Sequence, residues 1–80
     1  MPEITHEIKK HLGVISENER GWRKELNWVS WNERDPKVEI REWSDDYSKL
    51  GKGTTFTNEE AEKLREILNS IDLKKISKNI

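Results

Sequence analysis

The sequence predicts an α+β domain in which a four-stranded antiparallel sheet is followed by one C-terminal helix, in the order ββββα. Two observations predict the sheet: residues 4–17 and 37–43 alternate between apolar and polar side chains, and residues 22–32 are rich in aromatics. A third predicts the helix, because a capping box opens a stripe of apolar residues at spacings of three and four.

The first two strands are predicted to form a hairpin. Even positions within residues 4–17 are mostly apolar, which indicates a half-buried strand. A short helical turn at residues 7–12 remains an alternative, because Ile8 and Leu12 lie four positions apart. Residues 18–21 are polar and end in a glycine that tolerates positive φ, so they predict the turn into the second strand.

The next elements are a third strand, a loop and a short fourth strand. Residues 37–43 alternate strictly, which is typical of a strand with one buried face. Residues 44–53 are expected to form a longer loop that Tyr47 and Leu50 pin to the sheet. Residues 54–57 are β-branched or aromatic and predict the fourth strand.

The helix begins at a capping box in which Thr57 is followed three residues later by Glu60. Its apolar stripe consists of Ala61, Leu64, Ile67, Leu68 and Ile71. Beyond it the sequence leaves two alternatives open: the stripe continues through Leu73, Ile76 and Ile80, or residues 72–80 form a frayed tail. The chain is therefore predicted to be one domain over residues 1–80, with its core at about residues 8–71.

Composition excludes several classes of protein. No stretch approaches the roughly 18 consecutive apolar residues of a transmembrane helix. The first residues lack the pattern of a signal peptide, and the absence of cysteine excludes disulfides and thiolate sites. We therefore expect a cytoplasmic protein, associated with the nucleoid if the source is bacterial. The net charge of −1 means that any nucleic-acid site must depend on local charge placement.

One helix covers only one face of such a sheet. Val38 and Ile40 alternate toward the predicted helix, which leaves the opposite face open. The residues predicted on that open face are Arg23, Glu25, Asn27, Val29, Trp31, Lys37, Glu39, Arg41 and Trp43. Tryptophans among basic residues suit single-stranded nucleic acid, since rings stack bases and cations follow phosphates. The same composition suits a subunit or polypeptide interface, and the two glutamates argue against a simple polyanion groove.

Other candidate chemistry is weak. His6 and His11 are five residues apart, so on a regular strand they face opposite ways and share no metal. The Asp-Asp pair at residues 45–46 is typical of a turn, and residues 51–53 lack the rest of a phosphate-binding loop. We predict no catalytic residue, no metal and no cofactor, and therefore a protein that is not an enzyme.

Several motifs together resemble one family. Ile-Arg-Glu-Trp at residues 40–43, Gly-Lys-Gly at 51–53 and the capping box at 57–60 resemble the positive cofactor 4 (p15) transcriptional coactivator family. Residues 12–32 are similar to its short bacterial branch, the YdbC type. The resemblance covers residues 8–70 and depends on the order and spacing of the motifs.

The resemblance implies a homodimer of ββββα subunits whose curved sheets form channels for single-stranded DNA, with little sequence preference. It implies that Trp31 stacks on bases and that Arg41 is the family's arginine. The expected nucleic-acid-binding residues, with Lys37 added from the strand pattern and Arg34 as a rim contact, are Lys24, Trp31, Arg34, Lys37, Arg41, Trp43, Lys52 and Gly53. Lys24 has the opposite parity to Trp31, so it reaches the same groove only through a bulge, strong twist or the sheet edge.

The expected function is therefore non-specific single-stranded DNA binding, with a transcription cofactor-like role in transcription, replication or repair. RNA remains an alternative ligand, because stacking and phosphate contacts do not read the 2′-hydroxyl. Eukaryotic members carry a basic, serine-rich arm without counterpart here, so the resemblance implies strand binding more directly than contact with the transcription machinery. The alternative from another class is a protein–protein interaction module whose exposed Trp and Arg face docks a polypeptide.

Overall fold

The computed structural model describes residues 5–78. Its elements are β1 (His6–Glu17), β2 (Arg23–Trp31), β3 (Lys37–Trp43), β4 (Leu50–Phe56), α1 (Asn58–Ser70) and α2 (Leu73–Lys78). The four strands form one antiparallel sheet in chain order, which confirms the ββββα architecture. Neither helix in this part of the chain is long and apolar enough to cross a membrane.

One predicted boundary is wrong. The fourth strand begins at Leu50 instead of residue 54, because the chain pairs with β3 before its β-branched residues begin. Of the two alternatives for the C-terminal segment, the structure shows a helix, α2, whose first turn is capped by Asp72 Oδ1 accepting from the backbone N–H groups of Lys74 (3.1 Å) and Lys75 (3.2 Å). The ends of the predicted first strand and tail, residue 4 and residues 79–80, lie outside the described residues.

Strand β1 is bulged along its length. Its pairing with β2 shifts register between Ile8 and Lys10, between His11 and Gly13, and between Val14 and Ser16. A bulge inserts one residue and bends the strand, so strict alternation fails there. His6 pairs with Trp31 and His11 with Asn27, which places both histidines on one face. The prediction that they face opposite ways is therefore wrong.

The predicted turn at residues 18–21 is confirmed, and the turn after β2 shows how that strand ends. Gly21 has the positive φ of 82° that the hairpin signal requires. In the turn after β2, Asn32 and Glu33 have φ values of 51° and 63°, which are the left-handed conformations of a tight hairpin turn. Strand β2 therefore ends at Trp31, whose ring lies next to the turn.

Helix α1 begins with the predicted capping box. Thr57 Oγ1 accepts from the N–H of Glu60 (3.1 Å), and Glu60 Oε1 accepts from the N–H of Thr57 (2.8 Å). The helix lies over β3 and β4, and an apolar cleft of about 360 Å³ separates it from the sheet. The cleft is lined by Leu12, Leu26, Val38, Phe56, Ala61, Leu64, Arg65 and Leu68. We call this side of the sheet, together with α1, the helix side.

The opposite side, which we call the polar face, carries the predicted open-face residues. Glu25, Asn27, Val29, Glu39 and Trp43 are all buried there within a single subunit. The helix does leave this face uncovered, as predicted, but five of the nine side chains expected to be open there are buried. The polar side chains pair with one another, and the loop at residues 44–49 folds over them.

Candidate nucleic-acid interface

A groove of about 460 Å³ runs along the polar face. Its lining residues are Val29, Trp31, Arg34, Asp35, Lys37, Arg41, Leu50 and Thr55. Strands β2 and β3 and the turn between them supply most of this lining, because Trp31 ends β2 and Lys37 begins β3. The groove thus brings together four predicted site residues.

The Trp31 ring is held in place by two partners on β3. Its Nε1–H donates to Glu39 Oε2 at 2.7 Å, and the guanidinium carbon of Arg41 lies 4.8 Å from the ring centroid. Arg41 also donates to both carboxylate oxygens of Glu39, from Nε at 2.8 Å and from Nη2 at 3.1 Å. Glu39 and Arg41 share a face because they are two positions apart on a strand. We call these three residues the Trp31 clamp.

The side chain of Arg41 occupies the space that any side chain at position 53 would need. The Arg41 Nη1–H donates to the carbonyl of Gly51 at 2.8 Å, so the side chain crosses β4 over Gly53. A Cβ at Gly53 would lie 2.6 Å from the Arg41 guanidinium carbon. The absence of a side chain there is thus explained within the protein, and contact of Gly53 with nucleic acid stays a prediction.

A second clamp of the same construction lies beside the first. Tyr47 donates its hydroxyl hydrogen to Glu25 Oε2 at 2.8 Å, and Arg23 Nε donates to the same oxygen at 2.8 Å. The guanidinium carbon of Arg23 lies 5.0 Å from the centroid of the Tyr47 ring. We call these three residues the Tyr47 clamp. It confirms that Tyr47 pins the loop at residues 44–49.

The sequence reasoning missed this clamp. The sequence signal for the Tyr47 clamp is that β2 contains Arg-x-Glu and β3 contains the same pair in reverse order, Glu-x-Arg. In the antiparallel sheet this places Glu25 opposite Arg41. The partner aromatic comes from a loop, so strand alternation does not reveal it.

Glu25 is a buried carboxylate that stays ionised. Burial by itself raises the pKa of Glu25, but hydrogen bonds from Asn27, Arg23 and Tyr47 together outweigh burial and leave the pKa lowered. The same hydrogen bond from Arg23 raises the pKa of that guanidinium. The two glutamates that argued against a polyanion groove are therefore neutralised inside the sheet and present little negative charge to a ligand.

Trp43 packs inside the subunit. Its ring is fully buried, with the His6 ring centroid at 5.1 Å and the Tyr47 ring centroid at 5.8 Å. The prediction that Trp43 offers a free ring on an open face is wrong, because His6 and Tyr47 cover it. Within residues 5–78 its Nε1–H has no hydrogen-bond partner.

The predicted phosphate contacts are divided between two sides. Lys24 and Lys52 are exposed on the helix side, where they line a shallow groove of about 540 Å³ together with Glu42. This confirms the opposite parity of Lys24 and Trp31. Arg34 and Lys37 are exposed at the Trp31 groove. In the part of the chain that the structure describes, the side chains of these four cations form no ion pair.

The remaining candidates have structural explanations. His11 Nδ1 lies 2.8 Å from Asn27 Oδ1 and 3.3 Å from Glu25 Oε1, so it belongs to the polar network. Asp46 Oδ1 accepts from the backbone N–H and the hydroxyl of Ser48, which lowers the pKa of Asp46 to about 2. Within residues 5–78, no three or more histidine, aspartate or glutamate side chains lie together so that they could hold a metal ion.

The structure thus defines a class of protein: a ββββα domain whose sheet holds an arginine-supported tryptophan beside cations that form no ion pair within residues 5–78. The sequence matches the family described as Transcriptional Coactivator p15 (PC4) over residues 18–67, a range that includes every predicted site residue. It is also 46% identical over 71 residues to an uncharacterized protein of Treponema pallidum (strain Nichols), which covers 89% of this chain and 84% of that protein.

The chain therefore belongs to the p15 (PC4) transcriptional coactivator family, and the resemblance noted from its motifs is confirmed. Proteins of this family bind single-stranded DNA, have coactivator roles and are not enzymes.

Proposed function

We propose that this protein binds single-stranded DNA with little sequence specificity and acts as a cofactor-like protein in transcription, replication or repair. The observation that carries the proposal is the Trp31 groove, in which a half-buried indole supported by Arg41 lies beside the exposed side chains of Arg34 and Lys37. Membership of a family that binds single-stranded DNA supports the same conclusion.

In the proposed complex a base stacks on Trp31. The ring is fixed before the ligand arrives, because Glu39 accepts a hydrogen bond from its Nε1–H and Arg41 lies over one of its two faces. A fixed ring loses little conformational entropy on binding, which favours affinity. Stacking contributes about 1–3 kcal/mol per base and uses a π-face that every base has. Binding of this kind is therefore tolerant of sequence.

Phosphates are held by the cations around the ring. Arg34 and Lys37 lie at the groove, and Lys24 and Lys52 extend the path around the sheet to the helix side. Arg41 uses three of its five N–H groups inside the protein, so two remain for a phosphate. The affinity is expected to fall by about 0.7 log units per phosphate contact for each log unit of salt.

The active form is proposed to be a homodimer joined through the helix side. Helix α1 has no buried residue in the single subunit, and Ile67 and Leu68 are 51% and 50% exposed. A chain of 80 residues buries too little surface to leave such a stripe uncovered at no cost. A second copy supplies a matching apolar surface, because a two-fold axis brings the same patch of both chains together.

Sedimentation analysis tests the dimer. At micromolar concentration a species of about twice 9.5 kDa is expected, and a stable monomer would contradict the proposed assembly.

Titration with oligo-dT tests the binding function. Quenching of tryptophan fluorescence is expected, with weaker binding at higher salt and weaker binding of duplex DNA. Trp31→Leu is expected to reduce the affinity by about fivefold or more while the protein stays folded and dimeric. Absence of quenching in the unmodified protein, or equal affinity for duplex, would contradict the proposal.

Two single lysine-to-alanine variants test whether the Trp31 groove holds phosphates. Lys37→Ala removes a cation from the groove, whereas Lys63→Ala removes one from the exposed surface of α1. Lys37→Ala is expected to reduce the salt slope by about 0.7, and Lys63→Ala to leave it unchanged. Equal effects of the two variants would show that the groove does not hold phosphate.

Other ligands are distinguished in the same assay. Oligo-U is expected to bind with an affinity similar to that of oligo-dT, because stacking and phosphate contacts do not read the 2′-hydroxyl. A protein-interaction module, the alternative function, predicts no quenching by either oligonucleotide.

A further inference from the structure

The two clamps have the same parts in the same arrangement. In each, a buried glutamate accepts a hydrogen bond from the polar tip of an aromatic ring, at 2.7 Å for Trp31 and 2.8 Å for Tyr47. In each, an arginine two positions away on the same strand donates its Nε–H to that glutamate at 2.8 Å. In each, the same arginine lies over the ring, at 4.8 Å and 5.0 Å from the centroid.

We propose that Tyr47 is a second stacking position for a base of the strand that binds at Trp31, with Glu25 and Arg23 as the residues that position it. This inference rests on the proposed single-strand binding and adds a ligand contact on a loop that the sequence pattern does not assign to the site.

The placement of the clamps suits one continuous ligand. Glu25 of the Tyr47 clamp is the direct cross-strand partner of Arg41 of the Trp31 clamp. The clamps are therefore neighbours on adjacent strands, and both aromatic rings belong to the polar face. A strand that stacks one base on Trp31 and continues across β3 and β2 reaches Tyr47 without leaving this face.

Tyr47 is partly exposed, whereas the ring beneath it is not. Tyr47 is 38% exposed, and Trp43, which it contacts at an interplanar angle of 51°, is fully buried. Trp43 and the Arg23 guanidinium both contact the Tyr47 ring, and the exposed part of the residue lies outside these two contacts.

The backbone at Tyr47 is strained and firmly held. Tyr47 has a φ of 61°, in the left-handed region that non-glycine residues rarely adopt. Asp46 stabilises this turn by accepting from the backbone N–H of Ser48 at 2.9 Å and from the hydroxyl of Ser44 at 3.0 Å. Strained conformations of this kind cluster at binding sites, where they pre-position a side chain. The turn presents the ring in one orientation before any ligand binds.

Two variants separate stacking from packing. Tyr47→Leu keeps an apolar cover over Trp43 but removes the π-face, whereas Tyr47→Phe keeps the ring and loses only the hydroxyl. Tyr47→Leu is expected to bind oligo-dT at least about fivefold more weakly than the unmodified protein. Tyr47→Phe, which keeps the ring, is expected to bind oligo-dT with an affinity close to that of the unmodified protein. Circular dichroism of both variants checks that they are folded.

Photo-crosslinking tests the contact in the unmodified protein. An oligo-dT carrying 5-iododeoxyuridine at one position crosslinks to aromatic rings that stack on the substituted base. Tyr47 is the one tyrosine of the chain, so a crosslinked tyrosine peptide identifies it. We expect Tyr47 to crosslink at one substituted position and Trp31 at another.

The outcomes separate this inference from the proposed function. If the unmodified protein binds oligo-dT and Trp31→Leu weakens binding, while Tyr47→Leu binds normally and Tyr47 never crosslinks, the second stacking position is wrong and the proposed function stands. If the unmodified protein does not bind, the proposed function is wrong as well.

Discussion

On the polar face Glu25 and Trp43 are fully buried within one subunit, whereas on the helix side Ile67 and Leu68 remain about half exposed. This reverses the usual distribution, in which charged side chains are exposed and aliphatic ones are buried. The polar face is completed by its own hydrogen bonds and ion pairs, so the rings of Trp31 and Tyr47 and the arginines over them are positioned before any ligand binds. The helix side lacks a covering surface, and a second copy of the chain is the proposed cover.

The largest expected effect is on the polar face. Glu25→Ala leaves the side chains of Arg23, Asn27 and Tyr47 without their shared acceptor. Removing one partner of a buried ion pair typically costs about 3–5 kcal/mol. We expect a loss of that size in the free energy of unfolding, measured by urea denaturation. Glu62→Ala, which removes an exposed partner of Arg65, is the control and is expected to cost less than about 1 kcal/mol. Equal losses would contradict the contrast between the two sides.

On the helix side a charge is expected to affect assembly more than folding. Ile67→Lys places an ammonium in the apolar stripe, at a position that is 51% exposed in the subunit. Burying an isoleucine side chain contributes about 1.5–3 kcal/mol, so the dimer dissociation constant is expected to rise at least about tenfold. Sedimentation at several concentrations measures this. Glu66→Lys, which introduces the same group at an exposed ion-paired position, should leave the dimer intact. A dimer equally resistant to both changes would place the interface elsewhere.

A smaller effect is expected from filling the space under Arg41. In Gly53→Ala the new Cβ would lie 2.6 Å from the Arg41 guanidinium carbon, so Arg41 must move away from Trp31. The expected cost in stability is about 1–3 kcal/mol, with weaker oligo-dT binding because Trp31 loses its support. Gly13→Ala is the matched control, since a Cβ there meets no atom within 4 Å. Thermal unfolding and the fluorescence titration measure both effects, and indistinguishable variants would contradict the clamp.

The smallest expected effect is the loss of thermal stability at low pH. The folded-state pKa of Glu25 is lowered from 4.5, and that of Asp46 from 3.8 to about 2. A lowered carboxyl pKa contributes stability above the unfolded-state value, and this contribution is lost as the pH falls through the folded-state value. The melting temperature is therefore expected to fall between about pH 4.5 and pH 2. Asp46→Asn should make this fall shallower, and an unchanged profile in that variant would contradict the role of Asp46.

Strand alternation predicted which side chains point to the polar face and which to the helix side. Val38 lines the cleft beneath α1, and Trp31 and Arg41 share the opposite face, as expected. Alternation sets the direction of a side chain but not its exposure. Exposure depended on pairing between distant residues, such as Tyr47 with Glu25, and these pairs have no local signal.

Other features were missed for local reasons. The bulges of β1, which bring the two histidines to one face, occur in a segment with few turn residues. The first part of β4 is rich in glycine, which is typical of a loop, although it pairs with β3. The capping box, by contrast, was predictable because both of its hydrogen bonds lie within four consecutive residues.

The central claim is that single-stranded DNA binds to the polar face through Trp31. The indole N–H resonances of a ¹⁵N-labelled sample test it in one titration, because Trp31 lies on the polar face and Trp28 on the helix side. On addition of oligo-dT we expect the Trp31 resonance to shift strongly and the Trp28 resonance to stay nearly unchanged. A shift of Trp28 with an unmoved Trp31 would contradict the account.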